Sequence, residues 1–261
     1  MSTVRLNFEI DGPQDGQPLL LTGSLGTTPA MWEPQVPQLA QDHRVIRVEL
    51  RGHGGAGGSP VPPGPYSIAD LGGDVLALMD RLGLEQTSYC GLSIGGMVGQ
   101  WLAINAPHRV RRLILISTSA HLPPAAAWHE RAAAVRQAGT PEVVADAVLG
   151  RWFTPAYANG RPEVVARYRE MISSTAAESY AGCCEAIAAM DLRDGLPQIM
   201  AATLVMVGAQ DPATPPVHGA AIAGAVAAAR LEVLDPGAHL LSVERAADVT
   251  RLIRDHMERT A

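Results

Sequence analysis

No apolar run in this 261-residue sequence is long enough to cross a lipid bilayer. The longest one, residues 220–229, is rich in alanine, contains Gly224 and falls short of the about 20 residues that a membrane-spanning helix needs. A secretory signal is not found either, because Arg5 and Glu9 lie where its apolar core would have to be. We therefore expect a cytoplasmic protein that does not act on a membrane.

Basic clusters and cysteine frameworks are also missing. The net charge is −6 and no block of Lys or Arg occurs, which argues against nucleic acid or an anionic membrane as a partner. Cys90, Cys183 and Cys184 are odd in number, and their spacing fits neither a disulfide framework nor a zinc site. Because the histidines and acidic residues show no metal-ligand spacing either, we expect reduced thiols, no metal and no cofactor.

Strand and helix patterns alternate in the first and last parts of the chain. Strand-like segments lie at 4–10, 19–21, 45–50, 87–90, 113–116, 204–207 and 231–234, and helical spacing is found at 31–41, 68–82 and 97–104. An alternation of this kind predicts an α/β fold, with a mostly parallel sheet covered by helices on both faces.

The middle of the chain has a different pattern. Between residues 121 and 198 the spacing is helical, with no convincing strand, over segments 125–137, 142–152, 162–172 and 177–190. One explanation is a long helical crossover between two strands, but so many helices exceed what a single crossover needs. We predict a core formed by residues 1–120 and 199–261, and a helical cap formed by residues 121–198 over an active site.

The segment Gly91-Leu92-Ser93-Ile94-Gly95-Gly96 lies between a strand-like and a helical pattern. Its G-x-S-x-G spacing is typical of a nucleophile elbow, a sharp turn from a strand into a helix that presents a serine hydroxyl above a sheet. Glycines two positions either side of the serine are needed because side chains there would collide across the turn. The spacing therefore predicts Ser93 as a nucleophile.

A serine hydroxyl attacks weakly until a base removes its proton, and a carboxylate orients that base. In folds with this elbow, the acid and the histidine follow the serine in chain order, at the ends of later strands. Asp211 follows the strand-like residues 204–207, and His239 follows residues 231–234. We therefore predict Asp211 as the acid and His239 as the base.

Other histidines and acids fit these roles less well. His129 and His256 lie in helical patterns, where a solvated surface side chain is the usual explanation. His53 lies in an early glycine-rich loop near the expected pocket, and His218 lies at a helix start after two prolines. Asp235 comes only four residues before the predicted base, in a loop where it fits a turn residue better.

The tetrahedral intermediate of acyl transfer needs two backbone N–H donors for its oxyanion. The first is expected from Ile94, the residue after the nucleophile, and the second from the loop at residues 22–27, which follows an early strand. Within this loop we choose Leu25, with Ser24 as the alternative.

Several longer segments are specific enough to indicate a family. They are Ser24-Leu25-Gly26-Thr27, Arg51-Gly52-His53-Gly54, Pro62-Pro63-Gly64-Pro65-Tyr66-Ser67, Arg151-Trp152-Phe153-Thr154-Pro155, Met190-Asp191-Leu192-Arg193, Gly208-Ala209-Gln210-Asp211-Pro212 and Ala238-His239-Leu240, besides the elbow. With these segments, which extend over nearly the whole chain, the sequence resembles the 3-oxoadipate enol-lactonases, members of the α/β-hydrolase fold family. It departs from them at Gly23, where the family often has asparagine, and at residues 54–58, which look longer than the usual turn.

The resemblance implies hydrolysis of 3-oxoadipate enol-lactone to 3-oxoadipate through an acyl-enzyme, in the β-ketoadipate pathway. This substrate carries a carboxylate, for which we expect an anchor in the cap. We choose Arg131, with Trp128 one helical turn away shaping the pocket and Ser24 lining it; a solvated arginine on a helix face is the alternative reading of Arg131.

Two other functions stay open. A fold and its catalytic residues do not specify the substrate, so the partner is a small lactone or, alternatively, a different carboxylic ester. A third reading is a non-catalytic ligand-binding protein on the same fold, which has no need of Ser93, Asp211 and His239 together. The sequence does not indicate an oligomeric state.

Overall fold

The computed structural model describes residues 4–54 and 61–259. Its strands are β1 (Phe8–Asp11), β2 (Gln17–Thr22), β3 (His43–Val48), β4 (Thr87–Leu92), β5 (Val110–Ile116), β6 (Ala202–Gly208) and β7 (Ala229–Leu234). Its helices are α1 (Val36–Leu39), α2 (Ile68–Arg81), α3 (Ile94–Asn105), α4 (Ala125–Ala138), α5 (Glu142–Trp152), α6 (Pro155–Gly160), α7 (Pro162–Ser174), α8 (Ala177–Ala189), α9 (Pro216–Ala225), α10 (Leu241–Glu244) and α11 (Ala246–Glu258). Segments of 3₁₀ helix occupy Pro29–Trp32, Pro107–Arg109 and Arg193–Gln198.

All these strands join one sheet, in the order β1-β3-β2-β4-β5-β6-β7. β1 pairs antiparallel with β3, and each other neighbouring pair is parallel. Leu19, Leu20 and Leu21 at the centre have no exposed surface, as a parallel sheet with both faces covered requires. Helix α2 packs against α3, and α1 packs against α11. The prediction of a mostly parallel sheet flanked by helices is confirmed.

Two expectations about the first 50 residues are wrong. The helix expected at 31–41 is broken into the 3₁₀ segment Pro29–Trp32 and the short α1, because Pro34 and Pro37 have no N–H to donate within a helix. The strand expected at 4–10 begins only at Phe8. The N–H of Val4 instead donates to the carboxylate of Asp74 at 2.7 Å, which takes the start of the described chain away from the sheet.

Residues 121–198 contain five helices, α4 to α8, between β5 and β6. Helix α4 packs along α8, and α5 along α7. The two ends of this segment meet: His121 and Asp191 form an isolated antiparallel bridge, and Leu192 N–H donates to the carbonyl of Ala120 at 2.8 Å. The segment therefore leaves the sheet and returns to it at nearly the same place. Sequence patterns predicted four of its helices and missed α6, a single short helix capped by the hydroxyl of Thr154.

The carboxyl ends of the parallel strands converge at one edge of the sheet. Strand β4 ends at Leu92, β6 at Gly208 and β7 at Leu234. In open α/β sheets, ligands bind at this edge because the loops that leave the strands meet there. The predicted nucleophile, acid and base lie in or just beyond these loops.

Candidate active site

Ser93 lies between β4 and α3 with backbone angles of φ 57° and ψ −118°. A positive φ is unfavourable for a residue with a side chain, so the surrounding structure has to impose it. The flanking glycines make the turn sterically feasible: a Cβ atom on Gly91 would lie 2.2 Å from the carbonyl oxygen of Gly95, and one on Gly95 would lie 2.6 Å from that of Thr22. This is the collision that the sequence spacing predicts.

The backbone of Ser93 is fixed by hydrogen bonds on both sides. Its N–H donates to the carbonyl of Ile116 at 2.9 Å, and its carbonyl accepts from the hydroxyl of Thr118 at 2.7 Å and from Met97 N–H at 3.0 Å. Strand β5 and the segment after it therefore determine the position of the elbow. This network stabilises the strained turn in one geometry.

Asp211 and His239 are in direct contact. His239 Nδ1 lies 2.8 Å from Asp211 Oδ2, and both side chains are almost completely buried. The other carboxylate oxygen accepts from the N–H groups of Ala213 at 2.8 Å and Thr214 at 3.0 Å, and the Thr214 hydroxyl donates to Oδ2 at 2.7 Å. The carboxylate is thus fully hydrogen-bonded and fixes the orientation of the imidazole.

These contacts also govern the charge of Asp211. Burial alone would raise the pKa of the carboxyl group, but the charge of His239 and the hydrogen bonds from His239 and Thr214 outweigh it, so the pKa lies below its usual value. Asp211 is therefore ionised at neutral pH. Because the ionised carboxylate accepts from Nδ1–H, the neutral imidazole keeps Nε2 as the nitrogen that can take up a proton.

Ser93 and His239 line the same cavity, which has a volume of about 200 Å³. No hydrogen bond joins the Ser93 hydroxyl to His239 among the described residues; such catalytic contacts often tighten only once substrate is bound. The roles of nucleophile, base and acid stay predictions for these three residues. What the structure adds is that the predicted nucleophile and base line one cavity.

The two predicted oxyanion donors differ in their surroundings. Ile94 is the first residue of α3, so its N–H has no partner within the helix, and the Ser93 side chain does not cap it. Leu25 and Ser24 both line the cavity. The N–H of Ser24 faces the sulfur of Met31 at 3.4 Å, whereas no acceptor is recorded for Leu25 N–H in the described chain. Leu25 therefore stays the predicted second donor.

Helix α4 contributes Trp128 and Arg131 to the cavity wall. The Arg131 guanidinium lies over the Trp128 ring, 4.6 Å from its centroid, and interacts with the buried hydroxyl of Tyr180. A residue that sequence reasoning missed lies beside them: Arg151, in the last turn of α5, also lines the cavity. It opens one of the family-like segments, which is the signal that could have identified it.

No carboxylate balances these two arginines. Arg151 Nε donates to the carbonyl of Ala147 at 3.0 Å, and neither Arg131 nor Arg151 forms an ion pair with another described residue. Burial and the nearby charge of Arg131 lower the pKa of Arg151. The cavity wall contains no Asp or Glu among the described residues. An anionic ligand would therefore reduce the electrostatic repulsion between the two guanidinium groups, which no carboxylate of the cavity wall offsets.

Other groups considered from the sequence lie outside this cavity. His53 is completely buried, its Nδ1–H donates to the carbonyl of Arg51 at 3.0 Å, and burial lowers its pKa to about 4. The cysteines are free and buried, and burial raises the pKa of the Cys90 thiol. His256 is buried rather than solvated, which corrects the expectation of a surface side chain, because the inner face of α11 packs it against β6.

Of residues 54–58, which were expected to lengthen a loop, 55–58 lie outside the described residues. Across the described ranges 4–54 and 61–259, no group of three or more His, Cys, Asp or Glu side chains could hold a metal ion. Within the same ranges, none of the helices combines the length and apolar character needed to pass through a bilayer.

The chain matches a family model described as the alpha/beta hydrolase fold over residues 17–246. Among named relatives, 3-oxoadipate enol-lactonase 2 of Acinetobacter baylyi is 39% identical over 98% of this chain and 94% of its own length. The RutD protein of Variovorax paradoxus, named as a carbamate hydrolase, is 29% identical over 98% of this chain and 97% of its own.

Two solved structures are also similar. The enol-lactonase from Burkholderia xenovorans LB400 superposes with a TM-score of 0.93 at 41% identity, covering 97% of this chain and 96% of that one. A thermophilic esterase from Thermogutta terrifontis, solved with malate bound, has a TM-score of 0.89 at 32% identity and covers 97% of this chain and 92% of that one.

Proposed function

Because the chain belongs to the alpha/beta hydrolase fold family, we propose that it hydrolyses a lactone that carries a carboxylate, with 3-oxoadipate enol-lactone as the substrate. The observation that carries this proposal is a single cavity lined by Ser93, His239 and two arginines without a carboxylate partner. The serine and the histidine would hydrolyse the ester bond of the lactone, and the arginines would bind the carboxylate of the substrate.

In the proposed reaction, the Ser93 hydroxyl attacks the lactone carbonyl while His239 Nε2 takes its proton. Asp211 stabilises the imidazolium that forms, and its ionised state at neutral pH suits this role. Collapse of the tetrahedral intermediate breaks the ring C–O bond, and His239 returns the proton to the departing enol oxygen. Water activated by His239 then hydrolyses the acyl-enzyme, and the enol tautomerises to the ketone of 3-oxoadipate.

The oxyanion of each tetrahedral intermediate is proposed to accept hydrogen bonds from the N–H groups of Ile94 and Leu25. Preorganised backbone donors of this kind stabilise charge that develops only in the transition state. The N-terminus of α3 adds a favourable dipole at the same place.

We assign the carboxylate of the substrate to Arg131 and Arg151. Guanidinium groups bind carboxylates through paired, charge-assisted hydrogen bonds, and the Trp128 ring beneath Arg131 limits the orientations open to that side chain. Malate, present in the related esterase structure, is itself a dicarboxylate, which supports an anion-binding site in relatives of this fold. Residues 121–198 are proposed to act as the cap, since they supply both arginines.

Hydrolysis of a different lactone or ester is the alternative, and the carbamate hydrolase named among the relatives is one such candidate. A neutral ester would leave Arg131 and Arg151 without a counter-charge, so the cavity favours an anionic substrate. A non-catalytic binding protein is disfavoured because it would have no need of the Asp211–His239 contact beside a strained serine.

Turnover of purified 3-oxoadipate enol-lactone by the protein and its Ser93→Ala variant tests the proposal. We expect ring opening with the wild-type protein and loss of at least about 10³-fold in kcat with the variant, at an unchanged circular dichroism spectrum. Unchanged turnover in a folded Ser93→Ala protein would exclude the mechanism. Turnover of simple esters but not of the enol-lactone would exclude the substrate.

A further inference from the structure

The amino ends of β5, β6 and β7 form a second cavity, at the edge of the sheet opposite Ser93. It has a volume of about 170 Å³, and Arg112, Arg230, Arg259 and His256 line it together with small residues. The sequence has no basic block, and all 20 of its basic side chains other than histidine are arginine. Folding therefore creates a cationic cluster from three distant segments in a protein of net charge −6.

These arginines are poorly compensated. Arg112 is only 8% exposed, and its recorded hydrogen bond goes to the main-chain carbonyl of Arg259 rather than to a carboxylate. Arg230 uses Nη1 to pair with Glu232 at 2.9 Å, and its Nε and Nη2 are buried with no partner in the described chain. Buried donors without an acceptor lower the stability of the folded protein. A ligand with acceptor oxygens would supply the missing hydrogen bonds of these atoms.

His256 adds a group of the opposite kind. Its Nε2 lies 3.0 Å from the carbonyl of Ala202, which can only accept, so Nε2 carries the hydrogen. The other nitrogen, Nδ1, is then an acceptor in the neutral ring, and it is buried without a partner. Burial, together with the charges of Arg112, Arg230 and Arg259, lowers the pKa of His256 to about 4, so the ring is neutral at pH 7.

We propose that this cavity binds hydrogenphosphate, whose oxygens accept from Arg112 and Arg230 and whose hydroxyl donates to Nδ1 of His256. Phosphate is matched to the site because both of its forms present at neutral pH retain at least one O–H, whereas sulfate and carboxylates have none. The volume admits a small ion. Occupancy would join the starts of β5 and β7 to α11 and so stabilise the folded protein at a distance from the reaction centre.

Thermal unfolding at pH 7 tests the site, with phosphate, sulfate and chloride compared at equal ionic strength. We expect phosphate to raise the Tm by about 5 °C once its concentration is about 100-fold above the Kd, and sulfate to raise it by less. Arg230→Gln should remove the phosphate response. The control, Arg251→Gln, should keep it, because Arg251 is exposed and pairs with Asp248 and Asp255 on the outer face of α11.

Several outcomes would overturn the inference. Equal responses to phosphate in wild-type and Arg230→Gln proteins would indicate an adventitious ion only. A sulfate response as large as that of phosphate would contradict the hydroxyl contact with His256. Loss of the response in an Arg131→Met/Arg151→Met double variant would place the ion in the active-site cavity. If Arg230→Gln does not fold, calorimetric titration of the wild-type protein with phosphate and with sulfate decides the question, and equal or undetectable binding refutes the proposal.

Discussion

The carboxylate of Asp211 lies 2.8 Å from His239 Nδ1, and the pair is shielded from solvent at the ends of two neighbouring parallel strands. Register between β6 and β7 places Gly208 opposite Leu234, so the loops that carry the acid and the base leave the sheet side by side. The contact is therefore a product of sheet topology rather than of proximity in sequence. It also fixes which imidazole nitrogen can serve as a base.

Asp211→Asn tests the importance of that contact. The amide is nearly isosteric, but its NH₂ group can donate to Nδ1 and so favour the wrong tautomer of His239. We expect kcat for the enol-lactone to fall by about 10³- to 10⁴-fold with little change in KM. Steady-state kinetics measure the effect, and retention of more than a tenth of kcat would show that Asp211 is not the acid.

The glycines of the elbow provide a steric test. Alanine at Gly91 would place Cβ 2.2 Å from the carbonyl oxygen of Gly95, a backbone atom that cannot move aside cheaply. We expect Gly91→Ala to lower the free energy of unfolding by about 3 kcal/mol and to abolish turnover. Urea unfolding checks the first effect.

Gly73→Ala is the matched control for this substitution. Gly73 lies in the interior of α2, and a Cβ there would meet no atom within 4 Å. Alanine should therefore stabilise the protein by about 0.5–1 kcal/mol at full activity. Equal behaviour of the two variants would contradict the steric account of the elbow.

The sequence patterns located the elbow because it depends on local geometry, and they located Asp211 and His239 because each follows a strand-like segment. Gly91, Ser93 and Gly95 are close in sequence, and their spacing follows from a single turn. Arg151 could not be found in the same way, because its place in the cavity depends on how α5 packs against the other helices of residues 121–198. Such packing is set by contacts between distant segments, which leave no period in the sequence.

Burial of His256 was missed for a related reason. A histidine in a helical pattern is equally compatible with either face until the opposing strand is known, and here β6 supplies the acceptor carbonyl of Ala202. The break in the early helix, in contrast, follows from Pro34 and Pro37, which interrupt a helix even where the apolar spacing is helical.

Substitution of the two cavity arginines tests the anchor. Arg131→Met and Arg151→Met remove the charge but keep an apolar side chain. Each should raise KM for the anionic enol-lactone and lower kcat/KM by about 10- to 100-fold, since a hydrogen bond to a charged group contributes about 1.5–3 kcal/mol. Hydrolysis of a neutral lactone should change little.

Arg161→Met is the control for these two variants, because Arg161 lies on the surface of the same segment, 65% exposed and away from the cavity. Its kinetics should match those of the wild-type protein for both lactones. If the Arg131 and Arg151 variants lost kcat/KM equally for the anionic and the neutral lactone, the two arginines would have a structural role instead.

Acid should destabilise the protein through His53. The buried ring has a pKa of about 4, below its ordinary value of 6.5, so between these values the unfolded chain takes up a proton that the folded state does not. The free energy of unfolding therefore has its full value above pH 6.5. It decreases as the pH drops towards 4, and His53 contributes up to about 1.4 kcal/mol per pH unit to this decrease. Urea midpoints at pH 7, 5.5 and 4.5 measure the slope.

His53→Asn should flatten this pH dependence, because asparagine can donate to the carbonyl of Arg51 and does not titrate. The exposed His129 provides the control, and His129→Asn should leave the slope unchanged. A His53→Asn protein with the wild-type slope would mean that another group, such as His256, accounts for the acid sensitivity.

Selectivity of the cavity for an anionic enol-lactone can be measured by comparing kcat/KM for two lactones. One is 3-oxoadipate enol-lactone, and the other is its neutral analogue, in which a methyl group replaces the carboxymethyl group. With Arg131 and Arg151 on the cavity wall, we predict that kcat/KM is about 100-fold higher for the anionic substrate. Equal values, or faster hydrolysis of the neutral lactone, would show that Arg131 and Arg151 do not select for a substrate carboxylate.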